Sequence, residues 1–213
     1  MTDVTDTTSR WLAVSGILLI PFTVVCVLYL DIPVATFVRD HLYANRHWLR
    51  ATSDLPDLLL GVVVAATIGS CFFYLLRSGK GILDRATLLA KEILWLAPAS
   101  YLAKALLKIA FGRSNTRYWL SDPSAYGFHC FQMKEHCEGF PSGHMLVMVA
   151  LLAAGWRFYP EGRPFGIVLS VLLGVALIAT NYHFLSDVVV GGYLAILLEV
   201  TISRLLFCRR RTS

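Results

Sequence analysis

Residues 11–30 read WLAVSGILLIPFTVVCVLYL, and this run contains no charged side chain. As an α-helix it is long enough to cross a bilayer core of roughly 30 Å. The run exceeds the apolar core of a secretory signal peptide, which is about 7 to 15 residues, and no small-residue cleavage site follows it. We therefore expect a retained transmembrane helix that ends where Asp31, Ile32 and Pro33 turn the chain out of the membrane.

The composition extends this membrane interpretation to the whole chain. Hydrophobic residues make up 56% of the 213 residues and charged residues only 15%, which is typical of integral membrane proteins. Further apolar runs occupy residues 58–76, 88–109, 142–159, 165–182 and 188–207. Together with residues 11–30, they predict a single all-α domain over residues 1–213, built as a bundle of six transmembrane helices.

The basic residues indicate how this bundle is oriented. The net charge is +5, but the basic residues lie at the ends of apolar runs, so membrane topology explains them without a nucleic-acid partner. If the helices alternate in direction, both termini and the connections at residues 77–91 and 157–163 share the side that is richer in Lys and Arg. The positive-inside rule then predicts a multi-pass protein of the cytoplasmic (inner) membrane with both termini in the cytoplasm.

Two longer connections fall on the opposite, exterior side. We expect residues 31–57 to lie along the membrane interface as an amphipathic segment that includes Val38, Leu42, Trp48 and Leu49. Residues 111–140 are too polar to lie within lipid and could house chemistry. They include Cys130 and Cys137, for which a disulfide in an oxidising compartment and two unpaired thiols both stay open.

Three distant segments meet on this exterior side. In an alternating bundle the end of the third helix, the start of the fourth and the end of the fifth emerge together. They bring to one place a set of cations, a helix start and a histidine–aspartate pair: Lys108, Arg113, Arg117, Ser142, Gly143, His144, His183 and Asp187. The sequence therefore predicts an active site facing the periplasm or exterior.

The helix start and the cations are suited to binding phosphate. Ser142 directly precedes an apolar helical run and makes a good N-cap. Backbone N–H groups at such a helix terminus attract anions, and Gly143 lets a ligand approach the backbone closely. Arginine adds a planar fork that matches phosphate oxygens.

The histidines supply a nucleophile and an acid. His183 and Asp187 are four residues apart, so the carboxylate can fix one ring nitrogen while the other attacks phosphorus. His144 could protonate the leaving oxygen, because its ordinary pKa is close to neutral. A capping role for His144 and a structural pairing of His183 with Asp187 are the competing interpretations.

These residues resemble a known family. The tetrapeptide Pro141-Ser142-Gly143-His144, the later His183 with Asp187, and the upstream Lys108 resemble the three motifs of the type 2 phosphatidic acid phosphatase superfamily. The resemblance covers residues 88–192, and the six-helix pattern extends it to the whole chain. It implies that His183 is a nucleophile forming a phosphohistidine, that Asp187 is its partner and His144 the general acid, and that Lys108, Ser142 and Gly143 hold the phosphate. It also implies a phosphorylated lipid substrate among membrane lipids and no metal or other cofactor.

The chain departs from the family pattern at two positions. Where the first motif has Arg-Pro, this chain has Asn115 and Thr116, and where the third motif commonly has an arginine, it has Leu177. Two phosphate-binding arginines are therefore missing. We expect Arg113 and Arg117 to supply the lost charge from shifted positions.

Several charges lie inside predicted spans, where they are costly and indicate a function or a buried partner. For Lys104, one turn deeper than Lys108, we expect snorkelling toward the lipid headgroups. Glu199 has no partner that the sequence identifies. Gly191 and Gly192 predict close helix packing.

The function expected from these residues is hydrolysis of a lipid phosphate monoester or diphosphate. A lipid phosphotransferase that uses the same site, and a non-catalytic lipid-binding or transport protein, are the alternatives. The motifs recognise a phosphate and not its lipid. Prenyl diphosphates, phosphatidate-like lipids, phosphorylated lipid A and a soluble phosphate ester therefore all stay open as substrates.

Overall fold

A computed structural model describes residues 2–42, 55–131 and 137–207 of this chain. Within these ranges the regular structure is helical and no β-strand forms. The α-helices are α1 (Thr2–Val25), α2 (Asp31–Leu42), α3 (Leu55–Ser78), α4 (Arg85–Phe111), α5 (Thr116–Ser121), α6 (Gly143–Phe158), α7 (Arg163–Ala179) and α8 (Leu185–Phe207). A π-helical turn at Cys26–Leu30 joins α1 to α2, and short 3₁₀ turns lie at Pro123–Ala125 and Pro160–Gly162.

Helix length and apolar composition make this a multi-pass membrane protein. Five segments among the described residues are long and apolar enough to span a bilayer: Arg10–Leu42, Leu59–Ser78, Arg85–Phe111, Pro160–Ala179 and Leu185–Phe207. The remaining apolar helix, α6, has 16 residues, and at about 1.5 Å per residue it is shorter than a typical bilayer core. A sixth span at residues 142–159 therefore stays a prediction.

The first helix is longer than the sequence predicted. The expected turn at Asp31, Ile32 and Pro33 is wrong, because the chain passes through the π-helical turn and continues as α2 to Leu42. Asp31 points inward, with no exposed surface, and accepts a hydrogen bond from the backbone N–H of Ser186 at 3.0 Å. This long-range partner makes an interior position favourable for a carboxylate that would otherwise end the span.

Part of the predicted interfacial segment is therefore helical and packed. Val38 in α2 is buried, whereas Leu42 at the end of α2 is exposed. Trp48 and Leu49 lie outside the described residues. An amphipathic interfacial role for residues 31–57 stays a prediction for the part beyond α2.

The core forms around α6, which packs against α4, α7 and α8. Its buried apolar residues come from all four helices: Leu96, Val147, Ala150, Ala154, Leu177 and Ala195. A Cβ added at Gly191 of α8 would lie 2.6 Å from the carbonyl oxygen of Ser142. The close packing predicted at Gly191 is thus confirmed, and it brings α8 directly against the start of α6.

The connection between α4 and α6 is fixed to the end of α4. Gly112 has a φ of 53°, which favours glycine, and its carbonyl accepts the backbone N–H of His129 at 3.0 Å. Arg113 pairs with Phe128 in an isolated antiparallel bridge. Cys130 and Cys137 in this connection are free thiols, so the disulfide that the sequence left open does not form in this structure.

Glu199 has the partner that the sequence could not identify. Arg157 of α6 donates to both carboxylate oxygens of Glu199 of α8, at 2.5 and 3.0 Å. Glu92 of α4 lies nearby, with its Oε1 3.9 Å from Arg157 Nε. This cluster links α4, α6 and α8 at the end of α6 opposite His144.

Candidate active site

A cavity of about 640 Å³ opens where the end of α4 meets the start of α6 and the turn before α8. The residues that line it come from the three segments that the sequence placed together and from the connection between α4 and α6. They are Lys104, Lys108, Asn115, Arg117, Tyr118, Ser121, Glu138, Gly143, His144, Tyr182 and His183. Five of the sequence-predicted residues line this cavity, namely Lys108, Arg117, Gly143, His144 and His183.

His183 is set into the wall of the cavity by the turn between α7 and α8. Its backbone N–H and that of Tyr182 both donate to the carbonyl of Leu177, at 3.3 and 3.0 Å. Asn181 has a φ of 47°, a left-handed conformation that asparagine tolerates, and its side-chain amide donates to the carbonyl of Ala35 at 3.3 Å. The turn is thus held from one side by α7 and from the other by α2.

Asp187 lies behind His183 but is held mainly by other groups. Its Oδ2 is 3.6 Å from His183 Nδ1, just beyond hydrogen-bond distance, and accepts the backbone N–H of Phe184 at 2.9 Å. Its Oδ1 accepts from Arg113 at 2.6 Å. The carboxylate is therefore fixed, whereas its contact with the imidazole is longer than a hydrogen bond, as is common in active sites without substrate.

The imidazole of His183 is nearly inaccessible to solvent. This burial lowers its pKa below the ordinary histidine value, because desolvation disfavours the charged ring, although Asp187 opposes the shift. The ring of His144 lies edge-on to it, with 6.1 Å between ring centroids. Two imidazoles therefore share one cavity in different surroundings, and burial favours the neutral form of the His183 ring.

The start of α6 forms one wall of the cavity. Ser142 caps the helix, since its Oγ accepts the backbone N–H of Met145 at 3.4 Å. Its own backbone N–H donates to the carbonyl of Asp187 at 3.0 Å. Ser142 is fully buried and does not line the cavity, whereas Gly143 does. The N-cap predicted from the sequence is confirmed, and the capping side chain is turned inward.

Two of the predicted cations line the cavity. Lys108 pairs with Glu138 at 3.1 Å, and this lysine lowers the pKa of the Glu138 carboxyl. The guanidinium of Arg117 lies 4.9 Å over the ring of Tyr182 and donates to the carbonyl of Thr180 at 3.3 Å. Both cations are therefore held at the wall by contacts that an anion could join.

Arg113 lies behind the cavity. It is 1% exposed and donates to Asp187 at 2.6 Å and to Asp31 at 2.7 Å. It also donates to Ser186 Oγ at 2.6 Å and to the hydroxyl of Tyr126 at 3.0 Å. The two carboxylates raise the pKa of this guanidinium despite the opposing effect of burial. Arg113 thus joins the start of α2 to the start of α8 and does not line the cavity, where the sequence predicted that it would bind phosphate.

The positions of the two missing arginines have different surroundings. Asn115 lines the cavity and caps α5, where its side-chain oxygen accepts the backbone N–H of Tyr118 at 2.8 Å. Leu177 is 3% exposed and belongs to the apolar core. A cation at position 177 would therefore be buried among apolar side chains in this chain.

Sequence reasoning missed Asp31, Lys104 and Glu138. Asp31 and Glu138 gave no local signal, because their partners lie far away in the sequence. Lys104 did give one: it is four residues before Lys108, a spacing that places both side chains on the same helix face. The side chain expected to snorkel toward headgroups instead lines the cavity. Within residues 2–42, 55–131 and 137–207, no cluster of three or more His, Cys, Asp or Glu side chains is placed to hold a metal ion.

Comparison with known proteins places these residues in a family context. The chain matches the family model described as PAP2 superfamily over residues 90–211. It is 26% identical over 170 residues to a lipid A 1-phosphatase of Rhizobium etli, an alignment that covers 72% of this chain and 73% of that protein. It is 33% identical over 86 residues to a lipid A 1-phosphatase of Rhizobium johnstonii, covering 40% of this chain and 35% of that protein. No solved structure matches this chain.

Proposed function

Because the chain belongs to the PAP2 superfamily, we propose that it is a multi-pass membrane lipid phosphatase that works through a phosphohistidine on His183. One arrangement supports this most directly. A buried neutral imidazole, backed by a fixed carboxylate, shares its cavity with a second histidine, a lysine and the start of a capped helix. A site that only bound lipid would have no need of a nucleophile, a group that orients it and an acid.

In the first step, His183 attacks the phosphorus atom of the lipid phosphate. Its Nδ1 faces Asp187, so Nε2 forms the N–P bond while the P–O bond to the lipid breaks. His144 donates a proton to the leaving oxygen, which departs as a hydroxyl group. Asp187 stabilises the positive charge that develops on the ring of His183, and Arg113 keeps that carboxylate in place.

In the second step, water attacks the phosphohistidine. The now neutral His144 takes a proton from this water as the new P–O bond forms and the N–P bond breaks. Inorganic phosphate leaves, and both histidines return to their starting protonation states. Lys108, Arg117 and the backbone at Gly143 stabilise the charge on the phosphoryl oxygens during both steps.

The substrate that fits best is a phosphorylated saccharide lipid of the lipid A class, carrying a 1-phosphate. The two relatives are named as lipid A 1-phosphatases. The cavity of about 640 Å³ is much larger than a phosphate group, and Asn115, Tyr118 and Ser121 give its wall further polar groups. These features favour a large polar headgroup over a bare phosphate ester.

We also propose that the cavity faces the periplasm or exterior of the cytoplasmic membrane, with six spans and cytoplasmic termini. The basic residues of this chain favour that orientation. A single cysteine placed at Ser121, in an otherwise cysteine-free variant, tests it. We expect a membrane-impermeant maleimide to label this cysteine in intact cells. Labelling only after lysis would show that the cavity faces the cytoplasm and would contradict the proposed orientation.

The decisive experiment incubates the purified protein with lipid A, phosphatidate and prenyl diphosphate in the presence of chelator. Wild type and His41→Ala, an exposed histidine of α2, are expected to release phosphate from lipid A. His183→Ala is expected to lose activity by at least about 10³-fold, as for other catalytic nucleophiles. Release that survives in His183→Ala would refute the mechanism. Labelled phosphate appearing on an acceptor lipid would identify a transferase. A preference for phosphatidate or prenyl diphosphate would contradict the proposed lipid A substrate class.

A further inference from the structure

Lys104 occupies a position that the family motifs do not assign. It lies one helical turn before Lys108 on α4, and both side chains line the same cavity. Its aliphatic stem runs directly over Gly143, since a Cβ at that position would lie 2.7 Å from Lys104 Cγ and Cδ. The glycine at the start of α6 therefore makes room for this lysine as well as for a ligand.

The charges that line the cavity do not balance. Among the described residues that line it, Lys104, Lys108 and Arg117 carry three positive charges, and Glu138 carries the single negative charge. Apart from the two histidines, these residues have an excess of two positive charges. A phosphate monoester dianion carries the complementary charge.

Within this group, the two lysines differ in whether a carboxylate pairs with them. Glu138 pairs with Lys108, while the ammonium group of Lys104 lies 4.6 Å over the ring of Tyr101. No carboxylate among the described residues lies within salt-bridge distance of Lys104. Two ammonium groups one turn apart on a helix repel each other, so a bound anion between them would relieve an existing repulsion.

We propose that Lys104 binds the substrate phosphate together with Lys108 and the backbone at Gly143. This role rests on the proposed phosphatase function and adds a ligand to its site. Lys104 supplies charge that the arginines absent at positions 115 and 177 would otherwise provide. Arg113 does not supply it, because Asp31 and Asp187 already neutralise that residue.

The proposal predicts which phosphates the site prefers. A cavity with two excess positive charges favours a dianionic monoester over a monoanionic diester of the same lipid. Loss of the Lys104 charge should therefore weaken monoester binding about 10- to 100-fold, the effect of one charge-assisted hydrogen bond. Diester binding should change less.

The test compares Lys104→Gln with Lys104→Arg, and uses Lys91→Gln as the matched control. Lys91 lies on the same helix at its other end, where its ammonium is 5.6 Å from the ring of Phe207. Binding of inorganic phosphate is measured by calorimetry, which needs no turnover, and KM and kcat are then measured on the lipid phosphate. Thermal unfolding of each variant separates a binding defect from a folding defect.

We expect Lys104→Gln to raise the Kd for phosphate and the KM about 10- to 100-fold. Lys104→Arg should recover most of the loss, and Lys91→Gln should bind as wild type does. The proposal is overturned if Lys104→Gln binds phosphate within twofold of wild type, or if the arginine variant binds as weakly as the glutamine variant at an unchanged melting temperature. A wild type that binds phosphate but does not turn over lipid phosphates would instead refute the proposed function.

Discussion

Replacing Arg113 with methionine separates the two roles that this arginine could have. The sequence assigns it to the phosphate, whereas the structure buries it between Asp31 and Asp187, with pair distances of 2.7 and 2.6 Å. Both carboxylates have no exposed surface. Methionine fills a similar volume but leaves two buried carboxylates without their cation.

The expected cost follows from that burial. Removing one partner of a buried ion pair typically destabilises a protein by about 3 to 5 kcal/mol. For a chain of this size each kcal/mol lowers the melting temperature by roughly 2 to 4 °C, so a fall of about 6 to 20 °C is expected for Arg113→Met. Adding Asp31→Asn to this variant removes one orphaned charge and should restore part of the loss.

Arg117→Met is the matched control, because Arg117 lines the cavity. Its loss removes a 3.3 Å hydrogen bond to Thr180, worth about 1 kcal/mol, so its melting temperature should fall by only about 2 to 4 °C. Its Kd for phosphate should rise instead. Fluorescence-monitored unfolding in detergent and phosphate calorimetry give the two readouts. If Arg113→Met melts within about 2 °C of wild type and binds phosphate as weakly as Arg117→Met, then Arg113 binds phosphate and does not serve to hold Asp187 in place.

The other predictions concern pH and helix packing. Because burial lowers the pKa of His183, the acid limb of kcat/KM should lie below the ordinary histidine value of about 6.5. An acid limb above that value would contradict the buried neutral ring. As the pH falls, the unfolded state binds a proton before the folded state does. The stability contributed by this group is therefore present above about pH 6.5 and decreases as the pH falls. Gly191→Ala places a Cβ 2.6 Å from the carbonyl of Ser142 and should cost about 1 to 3 kcal/mol by overpacking. Gly192→Ala, with its nearest contact at 3.5 Å, should melt close to wild type, and equal melting temperatures for the two variants would rule out close packing at residue 191.

Most helix positions could be predicted because their signals are local. The apolar run at residues 88–109 became α4 (Arg85–Phe111), and Ser142 capped α6 as its hydroxyl and position indicated. The end of the first span could not be predicted. An aspartate indicates the end of a membrane span only when no buried partner neutralises it. The partner of Asp31 is Arg113, which lies 82 positions later in the chain.

The candidate site shows the same division between local and long-range information. The proximity of His183 and Asp187 follows from their spacing, and the structure reproduces it. The direction of each cation does not follow from spacing. Arg113, which the sequence assigned to the phosphate, lies behind the cavity and pairs with carboxylates there. Lys104, which was expected at the lipid headgroups, lines the cavity, where Gly143 leaves room for its stem.

The placement of these two residues gives the two sides of the His183 ring opposite net charges. Behind the ring, Asp31 and Asp187 face the single cation Arg113, which leaves one negative charge in excess. In front of it, the described residues that line the cavity, apart from the histidines, carry two positive charges in excess. In the proposed mechanism, the front of the ring therefore attracts a phosphate dianion, while the carboxylates behind it stabilise the positive charge that forms on the ring during attack. Leu177 lies in the apolar core and carries no charge, so the charge separation that the proposed mechanism uses does not depend on this position.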